Sequence, residues 1–288
     1  MTLIDTPPAT ATDPDRRVTL RDLRQWARDA KTFAATTCYD ATTARLLYRA
    51  GLRVMLAGDT AAQMILGYDS TLPASMPFML EITAAVRRGA PNALVMADMP
   101  FGSYQCGQDE ALKNATDFLS IGHADLVKME VDETYGKLVE RMSHAGVPIV
   151  AHIGSRPQTV RYTGGFHSTG RTKRVAELLV ETAEIMIHAG AVCILIEAVP
   201  DAVSAQVVER AVQPDSGRPV PVIGCGAGPS CHGHIVVLHD LLGLSDWQPP
   251  FAKPMADLGR QIEDTAARWV QRVESGQYLA DGGPYTIE

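Results

Sequence analysis

The sequence predicts a (β/α)₈ TIM barrel with an N-terminal lead-in helix. Three observations carry this expectation. Eight short runs rich in apolar and β-branched residues recur along the chain, and helical periodicity fills most of the intervals between them. The 288 residues also fall within the roughly 200 to 400 over which such barrels run. The runs are apolar throughout and do not alternate, as is characteristic of parallel strands covered on both faces. An open, doubly wound sheet is the structural alternative.

In chain order, residues 1–16 read as a flexible tail and residues 17–288 as one barrel domain. Residues 18–30, with Leu20, Leu23 and Trp26 at helical spacing, read as the amphipathic lead-in helix. Strands are expected at 33–39, 54–58, 93–97, 126–129, 149–153, 192–196, 220–224 and 235–238. The last admits a second reading, in which 233–239 is a helix leading into a short final strand. A C-terminal helix over 255–276 is expected from Leu258, Ile262, Ala266 and Val270 along one face. Two connections, 60–77 and 154–173, are too long and too rich in Gly and Pro for simple turns, and long loops in a compact domain are usually functional.

Composition removes several function classes. A net charge of -7 with no run of Lys and Arg argues against nucleic acid as a partner. No stretch of 18 apolar residues supports a membrane span, and the polar, Pro-bearing start lacks the apolar run of a secretion signal. Five cysteines, Cys38, Cys106, Cys193, Cys225 and Cys231, include no CxxC pair, so a disulfide framework or zinc knuckle is not expected. A reducing cytoplasm fits best.

The expected strands end in a run of polar groups: Asp59 after Gly58, then Asp98, then Lys128-Met129-Glu130, then His152, then Glu197. In a barrel these ends form the rim that carries active sites. Asp40 fits a helix N-cap, and caps or ion pairs are the structural reading of the other carboxylates too. However, Asp59, Asp98 and Glu130 on three successive strand ends, with strands roughly 4.8 Å apart, would repel one another. A cation resolves that, and carboxylate oxygens without Cys suit a hard ion such as Mg²⁺. Lys128 and Glu130 share a strand face, so they either pair with each other or divide the work, the ammonium taking a substrate carboxylate and Glu130 serving the metal. Glu197 follows an apolar run that would leave it poorly solvated, with its pKa raised toward that of a general base. A buried structural Glu is the alternative.

Other motifs carry less. Gly224-Cys-Gly-Ala-Gly228 lacks the full GxGxxG spacing and reads equally as close backbone packing. His232, His234 and His239 do not share one helical face, and nothing in the sequence activates the Cys225 thiol.

Taken together, Phe33-Ala-Ala-Thr-Thr-Cys-Tyr-Asp40, Gly67-Tyr-Asp-Ser-Thr-Leu-Pro73, Ala84-Ala-Val-Arg-Arg-Gly-Ala-Pro91, Ala97-Asp-Met-Pro-Phe101, Val127-Lys-Met-Glu130 and Ile223-Gly-Cys-Gly-Ala-Gly228 resemble ketopantoate hydroxymethyltransferase. The resemblance runs from the lead-in helix to Val273-Glu-Ser-Gly-Gln-Tyr278. It implies a (β/α)₈ barrel that binds Mg²⁺ through Asp59, Asp98 and Glu130. Substrate contacts would fall on Asp59, Thr60, Asp98 and Lys128, and the general base on Glu197. His152, at the neighbouring strand end, is a candidate for positioning substrate oxygens. The implied reaction moves a one-carbon unit from 5,10-methylenetetrahydrofolate to 3-methyl-2-oxobutanoate, giving 2-dehydropantoate on the path to pantothenate. The implied partners are the small-molecule 2-oxo acid and the folate. A homo-oligomer, commonly a decamer, is also implied, with the lead-in helix as a contact element.

The chain departs from the family pattern on this rim: Thr60 replaces the usual Ser, Ala61-Ala62-Gln63 lacks the expected Leu-Gly, Ser155-Arg156 stands for Leu-Thr, and Cys231-His-Gly-His234 for Cys-Asp-Gly-Gln. These changes bear on the natural 2-oxo acid more than on metal chemistry. Two competing readings are a related metal-dependent 2-oxo acid aldolase or lyase of the phosphoenolpyruvate mutase/isocitrate lyase superfamily, and a non-catalytic keto-acid-binding paralogue. Against the first, the Lys-Lys-Cys-Gly-His-like loop is missing; against the second, all five of Asp59, Asp98, Lys128, Glu130 and Glu197 are present.

Overall fold

The computed structural model describes residues 16–212 and 217–285. The expected tail lies outside them except for Arg16, whose guanidinium pairs with Asp22. The chain divides after Ile235 into two compact units.

The first unit is built on the strands β1 (Phe33–Thr37), β2 (Val54–Ala57), β3 (Leu94–Asp98), β4 (Leu126–Glu130), β5 (Ile149–Gly154), β6 (Cys193–Glu197) and β7 (Val222–Cys225), and β8 (Gly233–Val236) crosses the division. They close into a barrel in chain order, with parallel pairing between consecutive strands from β1 to β8. The Phe33 N–H bonds the His232 carbonyl at 3.1 Å where the last strand returns to the first.

The eighth strand lies two residues earlier than expected, and a helix, Leu238–Leu242, follows it instead of preceding it. Gly233 explains the placement. A Cβ there would stand 2.4 Å from the Phe33 ring, so only glycine lets the closing strand pass this aromatic.

Strand alternation sorts the side chains into two sets. Phe33, Ala35, Val54, Leu56, Leu94, Met96, Leu126, Val150, Cys193, Leu195, Ile223 and Ile235 form one buried cluster, the barrel interior. Residues of the other parity, including Ala97, Val127, Met129, Ile149, Ala151, Ile153, Ile194, Ile196 and Val222, form a second cluster with the surrounding helices. The lead-in helix, Leu20–Arg28, begins with a capping box between Thr19 and Asp22. Its Leu23 joins the interior cluster, with Leu20 and Trp26 packed on it, so its apolar face is spent on the barrel itself.

Both long connections contain local helix. Ala61–Met64 forms a single turn within the first, and helix Met76–Gly89 opens at its end with Ser75 as N-cap. The second holds a 3₁₀ turn, Pro157–Thr159, and a short helix, Val160–Thr163, before helix Lys173–His188. In the second unit, helix Leu258–Glu274 matches the expected C-terminal helix, yet none of its residues is buried. Among the described residues, no helix is long and apolar enough to cross a membrane.

Candidate active site

The parity that packs the barrel interior continues to the carboxyl ends of the strands, where it turns polar. Asp98 has the parity of Leu94 and Met96; Lys128 and Glu130 that of Leu126; His152 that of Val150; and Glu197 that of Cys193 and Leu195. The registers Asp98↔Lys128, Glu130↔His152 and Gly154↔Glu197 set these residues side by side across β3 to β6. The polar set therefore forms the uppermost layer of the barrel interior. It stands on the rim that a barrel uses for catalysis.

Asp59 sits just beyond β2, and its N–H donates to Asp98 Oδ2 at 3.0 Å. A Cβ on Gly58 would lie 3.0 Å from Thr60 Oγ1 and 3.5 Å from Asp98 Oδ2, so a larger residue would crowd this junction. Lys128 Nζ donates to Asp98 Oδ1 at 2.5 Å with both side chains buried. The lysine thus pairs across strands with Asp98, not along its own strand with Glu130. Burial works against the Lys128 charge, but the carboxylates of Asp98, Asp59 and Glu130 outweigh it and hold the ammonium protonated. The Thr60 hydroxyl lies 2.8 Å from the Tyr39 hydroxyl.

Burial, followed by the charge of Asp98, pushes the Asp59 carboxyl up to about 7. Glu130 is raised well above the usual carboxylate range by burial and by the charge of Asp59. His152 is fully buried, and burial together with the Lys128 charge lowers its pKa, which keeps the ring neutral. Its Nδ1 lies 3.8 Å from Glu130 Oε1 and its Nε2 lies 3.4 Å from Glu197 Oε2. Neither ring nitrogen has a formed hydrogen bond.

Glu197 departs from expectation. The strand before it is buried, but its own side chain keeps 21% exposure, so the poorly solvated carboxylates of the site are Asp59, Asp98 and Glu130 instead. Its position depends on Gly154, at φ +96, where a Cβ would lie 2.3 Å from the Glu197 carbonyl oxygen. The Ser155 N–H bonds that same carbonyl at 2.8 Å.

Sequence reasoning missed Gln158. It lies in the 3₁₀ turn after β5 and is only 5% exposed. Its Nε2 donates to Asp59 Oδ2 and to the Met99 carbonyl, and its backbone N–H donates to Glu130 Oε2. The available signal was the Pro157-Gln158 pair in a long loop; no periodicity marks a residue there.

Of the weaker motifs, the glycine run and His232 serve packing and backbone bonding. Gly224 gives way to the Cys231 sulfur, and Gly228, at φ +78, to the Asp201 carboxyl. The His232 Nδ1 accepts the Val222 N–H. Burial pushes the Cys38 and Cys231 thiols up to about 11, which keeps them protonated.

Among the described residues, no three Asp, Glu, His or Cys side chains converge tightly enough to hold a metal between them. The donor chemistry nevertheless fits a hard divalent ion. All available donors at the Asp59, Asp98 and Glu130 positions are carboxylate oxygens, and Glu130 Oε1 is buried without a hydrogen-bond partner. Mg²⁺ characteristically takes one or two carboxylates and completes its shell with water and substrate.

Comparison with known proteins shows the family and the fold. The family model for ketopantoate hydroxymethyltransferase matches residues 17–281. A 3-methyl-2-oxobutanoate hydroxymethyltransferase of Thermobifida fusca is 38% identical over 264 residues, 92% of each chain. One of Syntrophobacter fumaroxidans is 42% identical over 243 residues, 84% of each chain. Among solved structures, 2,3-dimethylmalate lyase, described as a PEP mutase/isocitrate lyase superfamily member, shares the fold at TM-score 0.59 and 17% identity, covering 90% of this chain and 88% of that one. Phosphonopyruvate hydrolase in complex with oxalate and Mg²⁺ aligns at TM-score 0.55 and 15% identity, covering 90% of this chain and 88% of that one. With its barrel, its carboxylate-bearing rim and a match across nearly its whole length, this chain belongs to the ketopantoate hydroxymethyltransferase family.

Proposed function

We propose that this enzyme is a 3-methyl-2-oxobutanoate hydroxymethyltransferase, which transfers a one-carbon unit from 5,10-methylenetetrahydrofolate to 3-methyl-2-oxobutanoate and yields 2-dehydropantoate for pantothenate synthesis. The observation that carries this reading is the layer of Asp59, Asp98, Lys128, Glu130, His152 and Glu197 on one barrel rim, in a chain whose relatives bear that name over most of their length.

In this reading Asp59, Asp98 and Glu130 would hold Mg²⁺ together with water and substrate oxygens, and the ion would supply positive charge against the negative charge that develops on the keto oxygen. Lys128, kept protonated by its carboxylate neighbours, receives the substrate carboxylate, and Thr60, steadied by Tyr39, offers a hydroxyl to the same substrate. Glu197 is the base for the proton next to the ketone. Its partial exposure leaves it reachable from the substrate side. His152, neutral and 3.4 Å from Glu197, orients that carboxylate or a substrate oxygen. The nucleophilic carbon then bonds to the one-carbon unit donated by the folate, water supplies the hydroxyl oxygen, and tetrahydrofolate leaves as the carbon–nitrogen bonds to that unit break.

The reading extends to a cytoplasmic homo-oligomer. The exposure of Ile262, Trp269, Val270 and Val273 on the C-terminal helix supports assembly, whereas the lead-in helix has its apolar side against the barrel.

Incubating the enzyme with Mg²⁺, 5,10-methylenetetrahydrofolate and a panel of 2-oxo acids, with products identified by mass spectrometry, tests the assignment. 2-Dehydropantoate from 3-methyl-2-oxobutanoate is expected to dominate. Preferential turnover of another 2-oxo acid would assign the rim substitutions, Thr60 and Ser155-Arg156 among them, to a changed substrate.

A further inference from the structure

Building on the reading of Asp59 and Glu130 as metal-side carboxylates, we propose that Gln158 is the positioning residue that aims both of them. One residue in the loop after β5 holds groups from the ends of β2, β3 and β4. Its Nε2 donates to Asp59 Oδ2 at 2.8 Å and to the Met99 carbonyl at 2.9 Å. Its backbone N–H donates to Glu130 Oε2 at 2.9 Å. The amide cannot be turned over, because both groups facing Nε2 are acceptors and the two amide hydrogens are used on them. On its other side the Tyr104 hydroxyl donates to Gln158 Oε1 at 2.7 Å.

With Oδ2 of Asp59 and Oε2 of Glu130 each held by the same residue, the second oxygen of each carboxylate acquires a fixed direction. Glu130 Oε1, buried and without a hydrogen-bond partner, is one of these. Metal sites characteristically depend on such outer contacts to orient their ligands, and losing one weakens metal binding about 10- to 100-fold. Because Gln158 belongs to the 154–173 connection, the same contacts tie the seating of that loop to the arrangement of the carboxylates.

Mn²⁺ binding to the full-length enzyme without substrate, read by the EPR signal of free Mn²⁺, tests this in wild type, Asp98→Asn and Gln158→Met. The methionine keeps length, volume and the backbone N–H to Glu130 but removes the side-chain amide that holds Asp59 and the Met99 carbonyl. Gln158→Met is expected to bind Mn²⁺ about 10- to 100-fold more weakly, and its turnover to recover when Mg²⁺ is raised in proportion, which a purely structural defect would not allow. Wild-type Mn²⁺ affinity in a folded Gln158→Met overturns the positioning role of the Gln158 side chain while leaving the metal site standing. Absence of Mn²⁺ binding in the wild type overturns the metal reading itself. If Gln158→Met does not fold, Tyr104→Phe decides: loss of its hydrogen bond to Gln158 should weaken Mn²⁺ binding roughly 2- to 10-fold, and unchanged affinity overturns the proposal.

Discussion

Lys128 Nζ donates to Asp98 Oδ1 across 2.5 Å, and both side chains are almost entirely shielded from solvent. The other oxygen of Asp98 takes the Asp59 N–H. The lysine is therefore the positive charge that makes three buried carboxylates tolerable before any metal arrives. Lys128→Met removes it and leaves Asp98 unpaired, which typically costs about 3–5 kcal/mol. Denaturant unfolding of the metal-free variant should show that loss, and initial rates should show a raised KM for the keto acid. Unchanged stability would mean that Asp98 finds another partner.

Asp98→Asn keeps the shape of the side chain and removes one negative charge. Calorimetric titration with Mg²⁺ should show affinity reduced by more than about tenfold. Wild-type affinity would take Asp98 out of the metal site.

Asp59 makes metal-free stability depend on pH in a predictable direction. Its carboxyl is pushed up to about 7, first by burial and then by Asp98, against an ordinary value of 3.8, with Lys128 and the Gln158 amide pulling it down and Glu197 adding to the rise. The folded protein thus holds the proton more tightly than the unfolded chain. That contribution to stability is complete below the unfolded value and is lost as pH rises through about 7. Unfolding measurements on wild type and Asp59→Asn without metal should diverge in favour of the variant as pH increases from about 5 to about 8. Mg²⁺ should narrow the gap at the upper end. A constant difference across that range would contradict the raised value.

Gly154→Ala tests how Glu197 is placed. At φ +96, with the Cβ position 2.3 Å from the Glu197 carbonyl oxygen, alanine is strained twice. A left-handed non-glycine conformation alone costs about 1–2 kcal/mol, so a loss of at least that size in unfolding free energy is expected, together with a fall in kcat as β6 shifts. Wild-type values for both would show that the rim tolerates the displacement.

The strand ends were legible because barrel strands repeat with period two and parallel strands are apolar on both faces. That pattern placed Asp98, Lys128, Glu130, His152 and Glu197 on one rim, where the structure has them. The partner of Lys128 was not legible, because the register Asp98↔Lys128 is a tertiary property, and spacing along one strand offered only Glu130. Gln158 was hidden for a related reason: its contacts span |i−j| of 28 to 99 and arise from an irregular turn. The apolar run before Glu197 described the strand correctly and the carboxyl wrongly, since the side chain emerges where β6 ends and retains 21% exposure. The eighth strand was misplaced because glycine at 233 fits against Phe33, a contact made 200 residues apart in the chain.

The proposed chemistry turns on Glu197 as the base, and proton abstraction can be followed apart from one-carbon transfer. Deuterium exchange into 3-methyl-2-oxobutanoate in heavy water with Mg²⁺, without folate, compares the wild type with Glu197→Gln, which keeps the shape and removes the base. Exchange should fall by about 10²- to 10⁴-fold while keto-acid binding, measured by calorimetry, stays near the wild-type value. Exchange at the wild-type rate in a folded Glu197→Gln protein would contradict the assignment and transfer the role to another group on the rim, with His152 the nearest, 3.4 Å away.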